Sequence, residues 1–256
     1  MFVLTIDQAG SQHDVDRVPD LLELLRGVDV VTPFERSVGD EAQGIPASAE
    51  AAIEAALLCL RQGGWYVGLG IGGIEHPLPA SPREGRGSAF VAARTAVERA
   101  KKTGDRAPLA VEGPPGAAEA EGVLALIGRH VMHRSRAEWR ILDRLQPGKW
   151  GSQTAAAREL GIAPQSVSKA VARSAWTEEW AARPAAALLL AWADKASDAE
   201  PTVDGKAAAG AGRPGDAGHR DTDAPGTPGG NLHGSGGTPT VAGPDSAAAE
   251  AEGEGN

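Results

Sequence analysis

The sequence predicts an α+β fold: a small sheet with helices, then an all-α segment, then a disordered acidic tail. Three observations predict it. Strand-like and helix-like apolar patterns alternate through the first half of the chain. From Arg134 the patterns are all helical, and five of the six tryptophans (Trp139, Trp150, Trp176, Trp180 and Trp192) lie there. From Asp198 to Asn256 there is no aromatic residue and hardly a branched apolar one.

Met1 to Ile6 (MFVLTI) reads as a strand that ends at Asp7. Val18, Leu21, Leu22, Leu24 and Leu25 then cluster on one side of a helix, with Pro19 in its first turn, where proline is tolerated. Val28 to Val38 and Ala42 to Ile45 read as paired strands joined by a tight turn at Gly39-Asp40-Glu41. Ser48 caps an alanine-rich helix that runs to about Arg61 and stops at Gly63-Gly64. Trp65 to Ile71 is a further strand and Ser88 to Lys102 a long helix. Pro108 to Val111 fits an edge strand and Ala117 to His133 a last helix. The order βαββαβ is that of a ferredoxin-like, four-stranded antiparallel sheet with helices on one face. The central hairpin is too tight for the crossover of a doubly wound fold.

The charge divides as the patterns do. The chain carries a formal net charge of -9, but residues 198–256 hold 10 acids against 3 bases, so the rest is only -2. Residues 134–197 hold 10 bases against 6 acids and residues 1–133 hold 12 against 18, which concentrates positive charge in the helical segment. Three regions result: a sheet domain over 1–133, a helical domain over 134–196 and a tail over 197–256. The tail cannot bury enough apolar surface to offset its conformational entropy. It either solvates the chain or competes with nucleic acid for a basic surface. The single cysteine, Cys59, excludes a disulfide framework and a cysteine zinc site, and reads as a small core residue. No apolar run is long enough to span a bilayer and no basic leader precedes the first strand, so a cytoplasmic protein without a membrane partner is expected.

In the sheet domain, Asp7 ends the first strand and Asp40 lies in the central hairpin, on strands expected to be neighbours. Two close carboxylates repel unless a cation lies between them. Mg²⁺ or Mn²⁺ would relieve the repulsion and bring substrate phosphates, with Glu41 as a third candidate ligand. The competing reading is structural: an acidic turn, and an aspartate capping a loop. Gly68, Gly70 and Gly72 alternate along one strand, which suits close approach of a helix or a second protomer better than a phosphate loop. Arg94, Arg99, Lys101 and Lys102 read as a solvated helix face.

Asp7, Val38-Gly39-Asp40, Gly68-Leu69-Gly70-Ile71-Gly72, Gly87 and Ala92-Ala93-Arg94, in that order, resemble the class III nucleotide cyclase catalytic domain. Asp7, Gly39-Asp40-Glu41-Ala42-Gln43-Gly44 and the Gly70-Ile71-Gly72 strand with its Ala-Ala-Arg helix more closely resemble the SatD-type family. That bacterial group has a cyclase-like palm, and its actinobacterial members often carry a helix-turn-helix; the resemblance covers nearly all of residues 1–193. It implies metal ligation by Asp7 and Asp40, purine reading by Arg36 and transition-state stabilisation by Arg94. Phe90 stands where cyclases place a helical asparagine, so the resemblance implies a nucleotide and metal site without turnover.

Thr154 to Val171 fits the helix-turn-helix template on its own residues. Ala157 is small enough for a second helix to cross closely, Gly161 supplies a left-handed turn, and Pro164 suits the first position of the next helix. Leu160, Ile162, Val167 and Ala170 close a small core, completed by a preceding helix from Ser135 to Leu145. On the second helix, Pro164 to Arg173, the residues Gln165, Ser166, Ser168 and Lys169 are placed for base edges. Thr154, Arg158, Arg173 and Gln153 are placed for phosphates. A helical hairpin that binds protein remains the plainer alternative. Pro184 is expected to break the next helix, leaving Ala185 to Trp192 to pack over the domain or against a second subunit.

These readings give a DNA-binding transcriptional regulator, a homodimer, with a palm domain that binds metal and nucleotide. The alternative is a metal-dependent nucleotide cyclase or nucleotidyl transferase, in which Arg94 is the catalytic residue. A scaffold in which both domains serve protein contacts is the third.

Overall fold

Alternation along the first strand organises the sheet. In the computed structural model, which describes residues 1–11 and 14–199, β1 (Phe2–Gln8) lies at the centre. It pairs antiparallel with β3 (Glu41–Pro46) on one side and β4 (Trp65–Ile71) on the other. Outside β3 lies β2 (Val30–Arg36), antiparallel, and outside β4 lies β5 (Leu109–Glu112), parallel, giving the order β2-β3-β1-β4-β5. Pro33 falls where the β2 register is irregular, on an edge strand that tolerates a missing N–H.

Phe2, Leu4 and Ile6 face one side with Ala42, Val67 and Leu69 and are buried there. This side is covered by α1 (Val18–Leu25), α2 (Ala49–Gln62), α4 (Ala117–His133) and α8 (Trp176–Ala199). Each fully buried leucine or isoleucine contributes about 1.5–3 kcal/mol. The local signals hold as expected: the Ser48 hydroxyl accepts from Ala51 N–H at 3.2 Å to start α2, and Gly63 ends it at φ 73°.

The opposite face is covered by α3 (Ser88–Ala100), so helices flank both sides, and the sheet is five-stranded and mixed. The edge strand expected over Pro108 to Val111 is present as β5, but its parallel pairing and the helix on the second face depart from the expected antiparallel sheet with helices on one face. The cause is in β4: a Cβ built on Gly68 or Gly70 would come within 2.3 or 2.2 Å of the α3 backbone. The alternating glycines let α3 lie directly on the strand, and the connection after α3 adds β5 beyond β4.

Past α4, the helices α5 (Arg136–Leu142), α6 (Ser152–Leu160) and α7 (Pro164–Arg173) pack around Leu142, Leu145, Ala156, Ala157, Val167 and Val171. Helix α8 then returns to the sheet body, burying Ala186, Ala187, Leu190 and Ala193 with α2 and α4. Of residues 134–196, expected as a separate module, α8 therefore joins the core of the sheet domain, while α5, α6 and α7 keep a small core of their own. Pro184 does not break α8, which runs through it as one 24-residue helix. Pro184 lies on the exposed side, where water can take the carbonyl its ring leaves free.

Arg61 on α2 fixes the helical segment, donating to both oxygens of Asp143 at 2.8 Å and stacking 4.0 Å over Trp139. Arg134 is buried; it donates to the Ser174 carbonyl at 2.8 and 2.9 Å and pairs with Glu179 at 2.5 Å. Among the described residues no helix is long and apolar enough to cross a membrane. The tail expected over 197–256 lies, from residue 200 on, outside the described residues.

Candidate functional site

The α3 side of the sheet carries polar residues in register. Asp7 lies opposite Glu41, Thr5 opposite Gln43, and Val3 opposite Gly70. Gln43 is buried and its Nε2 donates to Thr5 Oγ at 2.9 Å. Asp40 sits in the turn beside them, its carbonyl accepting from Gln8 N–H at 3.3 Å. Asp7, Asp40 and Glu41 thus meet at one end of the sheet.

Burial raises the Asp7 carboxyl above its ordinary value; Lys101 opposes this, and the charges of Asp40 and Glu98 add to it. Burial likewise raises Glu41, opposed by the Ser37 hydroxyl and Arg94 and assisted by Asp7. Lys101 Nζ lies 3.0 Å from Asp7 Oδ2 and 2.8 Å from Glu98. Burial works against the Lys101 ammonium, but its bonds to Glu98 and Asp7 raise its pKa. A hard divalent cation needs several converging oxygen ligands. Among the described residues no group of three or more His, Cys, Asp and Glu side chains could hold a metal ion. In this arrangement Lys101 supplies the Asp7 carboxylate with the positive charge that Mg²⁺ or Mn²⁺ was expected to bring.

Arg36 and Arg94 are not brought together. Arg36 pairs with Ala42, whose side chain faces the other side of the sheet, and it donates to Asp16 and to the Gly39 carbonyl, both at 2.5 Å. Arg94 stays on the α3 side. Beside it, a cavity of about 280 Å³ opens between α3 and the segment linking β4 to α3. Arg94, Arg83 and Arg86 line it, with Gln43 and Ser37 from the sheet. Sequence reasoning missed Arg83 and Arg86, which lie in a proline- and glycine-rich connection with no periodicity. Nor is the basic face of α3 simply solvated: Arg99 binds Glu112 at 2.5 Å and Glu121 at 2.9 Å.

In the helical segment, α6 ends at Gly161 (φ 63°), and α7 begins with Pro164 in its first turn. Val167, Ala170 and Val171 are the buried side of α7, whereas Gln165, Ser166, Ser168, Lys169 and Arg173 are exposed. Ser168 Oγ donates to Gln153 Oε1 at 3.0 Å, tying α7 to the start of α6. Thr154 and Arg158 are exposed on α6, and Arg173 lies 3.6 Å from Glu138. Trp150, just before α6, is 98% exposed and lines a broad hollow with Lys149, Thr154 and Arg158.

Set against known proteins, the chain matches no family model, no curated protein and no solved structure. The geometry alone bears on its function.

Proposed function

We propose that the protein is a DNA-binding transcriptional regulator in which α6 and α7 act as a helix-turn-helix and the palm-like sheet domain responds to a small ligand. The observation that carries the reading is the two-sided character of α7. One side closes a small core, and the other presents Gln165, Ser166, Ser168 and Lys169 to solvent without an apolar residue among them. Such a face suits hydrogen bonds to base edges. Arg158, Thr154 and the exposed Trp150 and Lys149 flank it, as backbone contacts require.

The test is anisotropy with labelled genomic fragments at low and moderate salt. Lys169→Ala is expected to cost about 1–3 kcal/mol and relax specificity, and Arg158→Ala to weaken all sequences alike. Affinity falling steeply with salt is expected. No binding at low salt rejects the reading.

A homodimer belongs to the same proposal, since paired recognition helices about 34 Å apart read two half-sites. On α8, Ala181, Ala185, Leu188 and Trp192 follow 4-3-4 spacing on its exposed side, Leu188 72% and Trp192 54% exposed. A second copy of this helix would cover them. Leu188→Glu is then expected to give monomers in sedimentation without loss of fold. A wild-type mass of about 26 kDa at every concentration, with or without DNA, rejects the dimer.

The alternative, a nucleotide cyclase or nucleotidyl transferase, finds less support. Phe90 packs against Gly85, whose added Cβ would lie 1.9 Å from its ring, and offers no hydrogen bond to a substrate. A cyclic nucleotide product that disappears in Asp40→Asn would reverse this order.

A further inference from the structure

Among the described residues, one cavity gathers three exposed arginines on a single rim. Arg61, Arg99, Arg134 and Arg183 each have a carboxylate partner. Arg83, Arg86 and Arg94 have none, and among the described residues their guanidinium groups make no hydrogen bond to protein. All three line the cavity of about 280 Å³ beside α3, and no acidic residue lines it. Gln43, 4% exposed, closes its sheet side, its Nε2 donating to Thr5 Oγ. The nearest sheet carboxylates do not close on the arginines: Glu35 accepts from the Ser81 hydroxyl at 2.7 Å, and Glu41 acts on Arg94 through its charge without an ion-pair contact.

Three like charges facing one hollow repel, and folding gains nothing by gathering them. An anion with several oxygens removes the repulsion, because each planar guanidinium can donate two parallel bonds to a phosphate. The volume is at the low end of small-molecule sites, which run from about 300 Å³. It suits a chain of two or three phosphates rather than an enclosed nucleoside.

We propose that Arg83, Arg86 and Arg94 form a binding site for a small polyphosphate group, either free or as the phosphate chain of a nucleotide. This deepens the ligand-responsive half of the reading above, and its test does not depend on DNA binding. The full chain is titrated calorimetrically at low ionic strength with inorganic pyrophosphate and, separately, with ATP. Each of Arg83→Gln, Arg86→Gln and Arg94→Gln is expected to weaken binding about tenfold or more, with an unchanged melting temperature in the absence of ligand. Arg140→Gln and Lys169→Ala are expected to bind as the wild type does. Equal affinity for pyrophosphate and ATP assigns the site to free polyphosphate; tighter ATP binding assigns it to a nucleotide whose base or sugar adds contacts outside the cavity. Wild-type protein that binds neither probe overturns the proposal, as does undiminished binding by the triple variant. A triple variant that loses duplex DNA affinity in parallel also overturns it, moving the arginines to the nucleic-acid interface. Loss of DNA binding in Lys169→Ala alone leaves it standing.

Discussion

The face of the sheet beneath α1, α2, α4 and α8 is apolar from β3 to β5, whereas the face beneath α3 carries Asp7, Thr5, Glu41 and Gln43 among its strands. The first face needs no further explanation, since burying leucine, isoleucine and alanine is what stabilises a domain. The second is costly. Its carboxylates are half-buried and its Gln43 fully so, and burial of such groups is unfavourable unless each finds a partner. The partners come from far along the chain: Lys101 for Asp7, and Thr5 for Gln43. A face that needs such compensation is where a ligand-dependent role is best sought, and the unpaired arginines lie at its edge.

Adjacent residues of β4 test this contrast most sharply, because Leu69 faces the apolar side and Gly70 the α3 side. Gly70→Val should be the most damaging single change, costing about 3 kcal/mol or more, since even its Cβ would meet α3 backbone atoms at 2.2 Å. Leu69→Ala leaves a cavity instead and should cost about 2–5 kcal/mol, with the fold retained. Denaturant titrations of the two variants compare them directly. If Gly70→Val is as stable as the wild type, α3 does not rest on that face.

Element types were legible where the signal is local. Ser48 and Gly63 bracket α2, Pro164 opens α7, and the span of α4 follows its apolar period. The glycines of β4 correctly signalled close approach, but not that the approaching helix would occupy the second face. That outcome depends on where the chain returns after α3, which no local pattern encodes. The acidic end of the sheet was legible too, since Asp7 and Glu41 follow from strand pairing. Its cation was not: Lys101 is 94 residues away from Asp7 and looked like any solvated lysine. Arg36 was misplaced for a geometric reason. One residue along a strand reverses the face, and Glu35 rather than Arg36 shares the side of Gln43. Proline in α8 misled because tertiary packing on α2 and α4 outweighs one lost hydrogen bond.

The smallest expected effect is also the most specific to the polar face. Burial raises the folded-state pKa of both Asp7 and Glu41 above their ordinary values. Between the ordinary carboxylate value and the raised one, the folded chain holds more protons than the unfolded chain, so stability falls as pH rises through that window. The contribution of these two groups is fully present below the ordinary value and lost above the raised one. Glu41→Gln keeps the shape, removes one titrating group and relieves the repulsion on Asp7 while leaving Lys101 its partner. It should therefore be slightly more stable than the wild type near pH 7, with the difference shrinking as the pH falls toward 5. Asp7→Asn should not share this gain in full, because it strips Lys101 of an acceptor 3.0 Å away. Melting temperatures of the three proteins across that pH range separate the two effects. A Glu41→Gln variant less stable than the wild type at neutral pH would mean that its carboxylate is a needed partner for Arg94, and that the two ends of the polar face are electrostatically one site.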